Sequence, residues 1–235
     1  MSTTDSCSSP SHEVHSHVLA DLLHANDTWA SSEADPKILE GNAKGQQPKY
    51  LWIGCADSRC PESVICKASP GEIFVHRNIA NTFLSSDTSA LAVLAFAVDV
   101  LGIQHVLVVG HTDCGGVKAA LTAVVSPPTS SPTSSTSHTV LSEGQEAIAK
   151  WLAPLKRLAS ELLAQSKEGG VDGDGEKILV DLVEANVRKQ VSNVVESSVV
   201  QKAWSEGRKI TVSGLVYDVA RGKLRDLGVT KGDLP

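Results

Sequence analysis

Tyr50-Leu51-Trp52-Ile53-Gly54-Cys55 and His105-Val106-Leu107-Val108-Val109-Gly110-His111 are the two stretches that decide the fold. Each is a short, nearly uninterrupted apolar run reaching a glycine, the pattern of a strand buried on both faces, which is the habit of parallel sheets. Between them, Ile73-Phe74-Val75 reads as a third strand after the Pro70-Gly71 turn. Ser89 to Leu101 reads as a buried helix, capped by Asp87 or Thr88 and stopped by Gly102. Gly115-Gly116 then leads into a helix over Val117 to Val125. This alternation predicts an α/β fold: a single domain with a mostly parallel central β-sheet flanked by helices, and a site in the loops at the strand carboxyl ends.

Outward from this centre, Val18 to Trp29 has a helical pattern that Asp35-Pro36 interrupts, with a further helical turn around Ile38 and Leu39. This predicts an N-terminal helical arm. Residues 1–17 carry no Arg or Lys and no apolar stretch long enough for a leader, and read as a disordered cytosolic tail. Downstream, residues 126–138 form a Ser/Pro/Thr-rich insertion that offers nothing to a core. Helices are expected from Leu141 to Ala164 and from Lys177 to Ser198, and a last major strand from Ile210 to Val219. The organisation expected is a tail, 1–17, and one domain, 18–235.

The chain has 235 residues, 41% of them hydrophobic and 20% charged, which is enough apolar material for one substantial core. Its net charge of −6 offers no footprint for a nucleic acid or an anionic membrane surface. The longest apolar run, Ala90 to Val98, is too short to span a bilayer. Five cysteines, an odd number, cannot all pair within one chain. Thiols or metal ligands in a reducing cytoplasm are the better reading.

Cys55 follows one predicted strand, and His111 and Cys114 follow another, so two strand ends can converge on one point. Two thiolates and an imidazole select zinc, and three protein ligands leave a fourth position open, the pattern of a catalytic rather than a structural site. Asp57 and Arg59 lie two residues apart, so an extended loop would project them the same way and pair them. The open alternative is a zinc-stabilised structural or binding protein without turnover.

Cys55-Ala56-Asp57-Ser58-Arg59 and His111-Thr112-Asp113-Cys114 are the Cys-x-Asp-x-Arg and His-x-x-Cys motifs of the β-class carbonic anhydrases, which the chain resembles. The likeness runs on through Pro70 to Asn81, Gly115-Gly116-Val117 and Val212 to Asp218. It implies Zn2+ held by Cys55, His111 and Cys114, and reversible hydration of carbon dioxide to bicarbonate and a proton by zinc-bound hydroxide. Asp57, paired with Arg59, would orient that nucleophile. Two thiolates make the site less acidifying than three imidazoles, so activity rising with pH is expected. The resemblance also implies a substrate pocket of Gln46, Phe74, Phe96, Gly115 and Gly116, the two glycines offering N–H groups to a bicarbonate oxygen. In one subgroup a second bicarbonate binds away from zinc, at positions matched by Trp52, Arg77 and Tyr217, and the aspartate at the Asp57 position leaves its arginine to become a fourth zinc ligand in an inactive state. A homodimer with the arm wrapping its partner, or a homotetramer, is the expected assembly.

Overall fold

A computed structural model describes residues 10–126, 141–168 and 175–232. The chain divides into two compact units, 1–46 and 47–235. The first holds helix α1 (Pro10–Thr28), a wide helical turn over Trp29–Glu33, and helix α2 (Pro36–Ala43), whose first turn is capped by the Asp35 carboxylate. Helix α1 starts at Pro10, within the stretch expected to be disordered, because a proline in the first turn sacrifices only an N–H that has no helical partner. Residues 1–9 lie outside the described residues, as does all but Ser126 of the 126–138 insertion.

The second unit is the predicted α/β domain. In chain order it runs β1 (Tyr50–Cys55), α3 (Glu62–Ile65), β2 (Ile73–Asn78), α4 (Thr88–Ala95), β3 (His105–His111), α5 (Gly115–Val125), α6 (Glu143–Trp151), α7 (Ala153–Glu168), α8 (Gly175–Val195), α9 (Ser198–Ser205), β4 (Thr211–Asp218) and β5 (Lys223–Asp226). The strands form one sheet in the order β2-β1-β3-β4-β5, parallel except for the β4–β5 hairpin. Asp87 caps α4 as expected, accepting from the N–H groups of Ser89 and Ala90. The helix expected over Lys177 to Ser198 ends at Val195, because the Ser197 hydroxyl accepts from Val200 N–H and starts α9.

The two faces of the sheet are unequal. Leu51, Ile53, Val106, Val108 and Val212 point into a dry core closed by residues of α4, α5, α7, α8 and α9. Helix α8 lies close against this face because Gly110 and Gly214 lack side chains: a Cβ there would come 2.6 Å from Val187 Cγ2 and 3.0 Å from Val187 Cγ1 respectively. On the opposite face Trp52, Cys60, Val109 and Tyr217 form a small buried cluster, beside which Ile73, Val75, Leu107 and Leu215 are only partly buried. No helix among the described residues is long and apolar enough to cross a membrane.

Candidate metal centre

Parallel pairing sets Cys55 and His111 at neighbouring strand ends, Gly54 lying beside Val109 two residues before His111. The chain then turns sharply: Asp113 adopts φ 60°, a left-handed conformation that aspartate tolerates better than most residues, and Cys114 becomes the N-cap of α5. The turn folds the third ligand back onto the first two. The Cys55, His111 and Cys114 ligand atoms all lie within 4.8 Å of one another, the three residues are buried, and the two sulfurs are 3.9 Å apart. Cys60 packs nearby, and Cys66 is exposed, neither belonging to this group.

The donor set fits a divalent metal. His111 Nδ1 is 2.9 Å from the Thr112 carbonyl, to which it donates, so Nε2, buried without a hydrogen-bond partner, is the ring atom left to bind a metal once deprotonated. Burial opposes a charge on His111, but the sulfurs of Cys55 and Cys60 outweigh it and push the ring up to about 10. The Cys114 thiol pulls Cys55 well below the ordinary thiol range against the effect of burial, and the N–H groups of Asp57 and Ala80 add to that. Cys114 is driven up in turn by Cys55 and by burial, while the N–H groups of Val117 and Gly116 pull it down. A cation between the sulfurs removes their opposition, since its charge favours both thiolates.

Above the ligands sits a charged rim. Asp57 and Arg59 do pair, but through a turn and not an extended loop: the Asp57 carboxylate accepts from Arg59 N–H at 2.9 Å, the Cys60 N–H closes on the Asp57 carbonyl at 3.1 Å, and the guanidinium then reaches back. It donates from Nε to Oδ1 at 3.0 Å and from Nη2 to Oδ2 at 2.7 Å, a two-pronged contact that holds the Asp57 carboxyl well below the usual carboxylate range. Asp57 Oδ2 is 3.8 Å from His111 Nε2, so the carboxylate overlooks the ligands while Arg59 holds it. Sequence reasoning missed Asp113, which accepts from Arg59 Nη1 at 3.2 Å and also pairs with Lys118. A short interior loop with an acidic residue opposite an arginine was the available signal.

The other expected residues fare unevenly. Gly116 serves packing: a Cβ there would meet Ile79 Cγ2 at 2.9 Å and Ala80 Cβ at 3.1 Å. Gly115 meets no such restriction. Phe74 and Phe96 stack with centroids 5.9 Å apart, but Phe74 pairs with Leu51, four residues up the strand from Cys55. At about 3.3 Å per residue this puts the pair some 13 Å from the ligands within one protomer, too far to wall the site. Gln46 belongs to the first unit and is exposed. Trp52 and Tyr217 share a buried cluster, and Trp52 Nε1 is buried with no partner. Arg77 is already engaged: it donates to the carbonyls of Cys55 at 2.8 Å and Asp57 at 2.5 Å and faces Glu62 at 3.6 Å.

Known proteins resemble this chain. The carbonic anhydrase family profile matches residues 50–224. A carbonic anhydrase of Emericella nidulans is 35% identical over 210 residues, 88% of this chain and 82% of that protein. Among solved structures, one of two tetrameric β-carbonic anhydrases from Sordaria macrospora superposes with a TM-score of 0.76 at 29% identity, covering 92% of this chain and all of that one. The β-carbonic anhydrase of Coccomyxa, in complex with acetazolamide, gives 0.75 at 32% identity, covering 91% and 88%.

Proposed function

The chain belongs to the β-carbonic anhydrase family, and from that premise we propose that its metal centre carries out the reversible hydration of carbon dioxide to bicarbonate and a proton. The observation that carries the reading is the buried Cys55, His111, Cys114 triplet with an unpaired His111 Nε2, overlooked by the Asp57–Arg59 pair. These three residues would hold Zn2+. Bound there, the metal supplies a Lewis acid that lowers the pKa of water toward neutrality. The protein's own groups do the rest. Main-chain N–H groups of Asp57, Ala80, Gly116 and Val117 settle the charge of the two thiolates. Arg59 keeps Asp57 ionised, so that Oδ2 accepts a hydrogen bond from the attacking oxygen and turns its lone pair toward the uncharged substrate. Stopped-flow carbon dioxide hydration by metal-quantified protein tests this: Asp57→Asn is expected to keep its zinc and lose about 100-fold in turnover, whereas full turnover in that variant would remove Asp57 from the reaction.

The assembly reading rests on two unpartnered surfaces. In the first unit Val18, Leu19, Leu22 and Leu23, at the i, i+4 spacing of one helix face, are all at least 58% exposed. Among the described residues of the second unit, the sheet face around Val75, Leu107 and Leu215 lacks the helix layer that a parallel sheet normally has. Arms exchanged between copies of the chain would cover both, giving a homodimer or a homotetramer.

A second bicarbonate site is favoured by one observation, the unpaired donor Trp52 Nε1 in the cluster it shares with Tyr217. Occupation would require Arg77 to leave the carbonyls of Cys55 and Asp57, which frees the Asp57 loop and allows the carboxylate to become a fourth ligand. The test is a pH-rate profile with added bicarbonate for wild type and Trp52→Phe: inhibition relieved in the variant supports the site, and identical profiles sink it.

A further inference from the structure

Between α7 and α8, two helices of the closed face, lies a cavity of about 400 Å³ that includes no residue of the metal centre or its rim. Its size is that of a site for a small molecule. Helix α8 gives it Asn186, Lys189, Gln190 and Asn193, at the i, i+3, i+4, i+7 spacing of one helix stripe. Two of these are buried and part of the fold. Asn186 and Gln190, 1% and 4% exposed, hold the turn after β2, where Ala80 and Asn81 are both left-handed. Asn186 Nδ2 donates to the Ala80 carbonyl at 2.9 Å, Gln190 Oε1 accepts from Phe83 N–H at 3.0 Å, and Gln190 Nε2 donates to Asn186 Oδ1 at 2.8 Å. These bonds use one N–H of each amide. The second N–H of each has no partner among the described residues, and donors left so in an interior are the exception.

The opening of the cavity is charged. Arg157 of α7 and Lys189 of α8 both border it and are exposed, and neither side chain has an ion pair or a hydrogen bond among the described residues. Every other arginine of the chain is in an ion pair: Arg59 and Arg77 beside the metal centre, and Arg188, Arg208, Arg221 and Arg225 elsewhere. Glu161, one turn further along α7, borders the same opening without pairing with Arg157, which leaves one net positive charge there. In a chain of net charge −6, such an opening is a place for an anion. Behind it Leu84, Leu155 and Leu158 form an apolar wall.

A guanidinium offers two parallel N–H groups to two oxygens of one anion, and an ammonium adds a point charge. Two cations at one opening match a phosphate monoester, with between one and two negative charges at neutral pH, better than a carboxylate with one. The wall suits an organic body on that phosphate, and the spare amide N–H groups suit polar substituents of the body. We propose that the α7–α8 cavity binds a small phosphate monoester, with its phosphate held by Arg157 and Lys189 and its body against Leu84, Leu155 and Leu158. This site is independent of the metal and of the reaction at it.

Calorimetric titration of the zinc-loaded protein with phenyl phosphate tests the proposal, with inorganic phosphate and benzoate for comparison. The variants are Arg157→Met, Lys189→Met and, as a control, Lys156→Met. Lys156 is the sequence neighbour of Arg157, has no ion pair among the described residues and does not border the cavity. Wild type is expected to bind one phenyl phosphate per chain, about tenfold more tightly than inorganic phosphate or benzoate. Arg157→Met and Lys189→Met are each expected to weaken it about tenfold, the scale of one charge-assisted hydrogen bond. Lys156→Met is expected to bind as wild type does. The proposal is overturned by an absence of saturable binding in wild type, or by binding that Arg157→Met and Lys189→Met both retain, which places the phosphate elsewhere. Equal loss in all three variants would also overturn it, as general charge attraction. So would inorganic phosphate or benzoate bound as tightly as phenyl phosphate, since the site would then read no organic body or no second charge.

Discussion

The two faces of the central sheet, both read as buried from the apolar strand runs, are covered unequally. One is closed by five helices of its own chain, with Leu51, Ile53, Val106 and Val108 at 1% exposure or less. Among the described residues the other has only the single turn of α3 and its flanking loops around Trp52, with Val75, Leu107 and Leu215 left half-covered. Apolar strand runs report that a face is buried, not by which molecule. The metal centre lies where the faces meet, since Cys55 continues the row of Leu51 and Ile53 while His111 continues that of Leu107 and Val109.

Four substitutions would break or sharpen that contrast. The largest effect is expected from Cys114→Ser, which removes a ligand at the junction: zinc content should fall and hydration should drop by more than about 100-fold, beyond what loss of an outer partner causes, in metal analysis paired with an activity assay. On the closed face, Leu182→Ala, at a fully buried position of α8, should cost about 2 to 5 kcal/mol in denaturant unfolding because the cavity cannot collapse. On the open face, Leu215→Glu should act mainly on assembly, so that sedimentation reports smaller species while the subunit remains folded; loss of the fold itself would mean that this face is also part of the protomer's own core. The smallest effect is expected at the rim. Asp113→Asn keeps a side chain that tolerates φ 60° and removes one of two carboxylates on an exposed Arg59, so stability should change by less than about 1 kcal/mol and turnover by less than about tenfold.

How much of this was legible in the sequence depends on range. The strand runs, their order and the placing of Cys55, His111 and Cys114 at strand ends follow from local periodicity and spacing, and the structure agrees with them. The Asp57–Arg59 contact was also legible, though its geometry was not, because an aspartate that accepts from an N–H two residues ahead favours a turn over an extended loop. The double left-handed turn at Ala80 and Asn81 was invisible: neither is a glycine, and the partner that holds it, Asn186, is 106 residues away. The packing role of Gly116 was invisible for the same reason, since the Ile79 and Ala80 side chains that require a glycine there come from another part of the chain. The break between α8 and α9 was missed because Ser197, whose hydroxyl both accepts from Val200 N–H and donates to the Val194 carbonyl, sits inside an otherwise helical pattern.

The most direct test of the central claim is a titration of metal-free protein with zinc while carbon dioxide hydration is followed by stopped flow. Turnover should be absent at the start, rise in proportion to zinc and level off at one ion per chain. A protein that binds one zinc ion through Cys55, His111 and Cys114 yet shows no turnover, or one that turns over without it, would contradict the account.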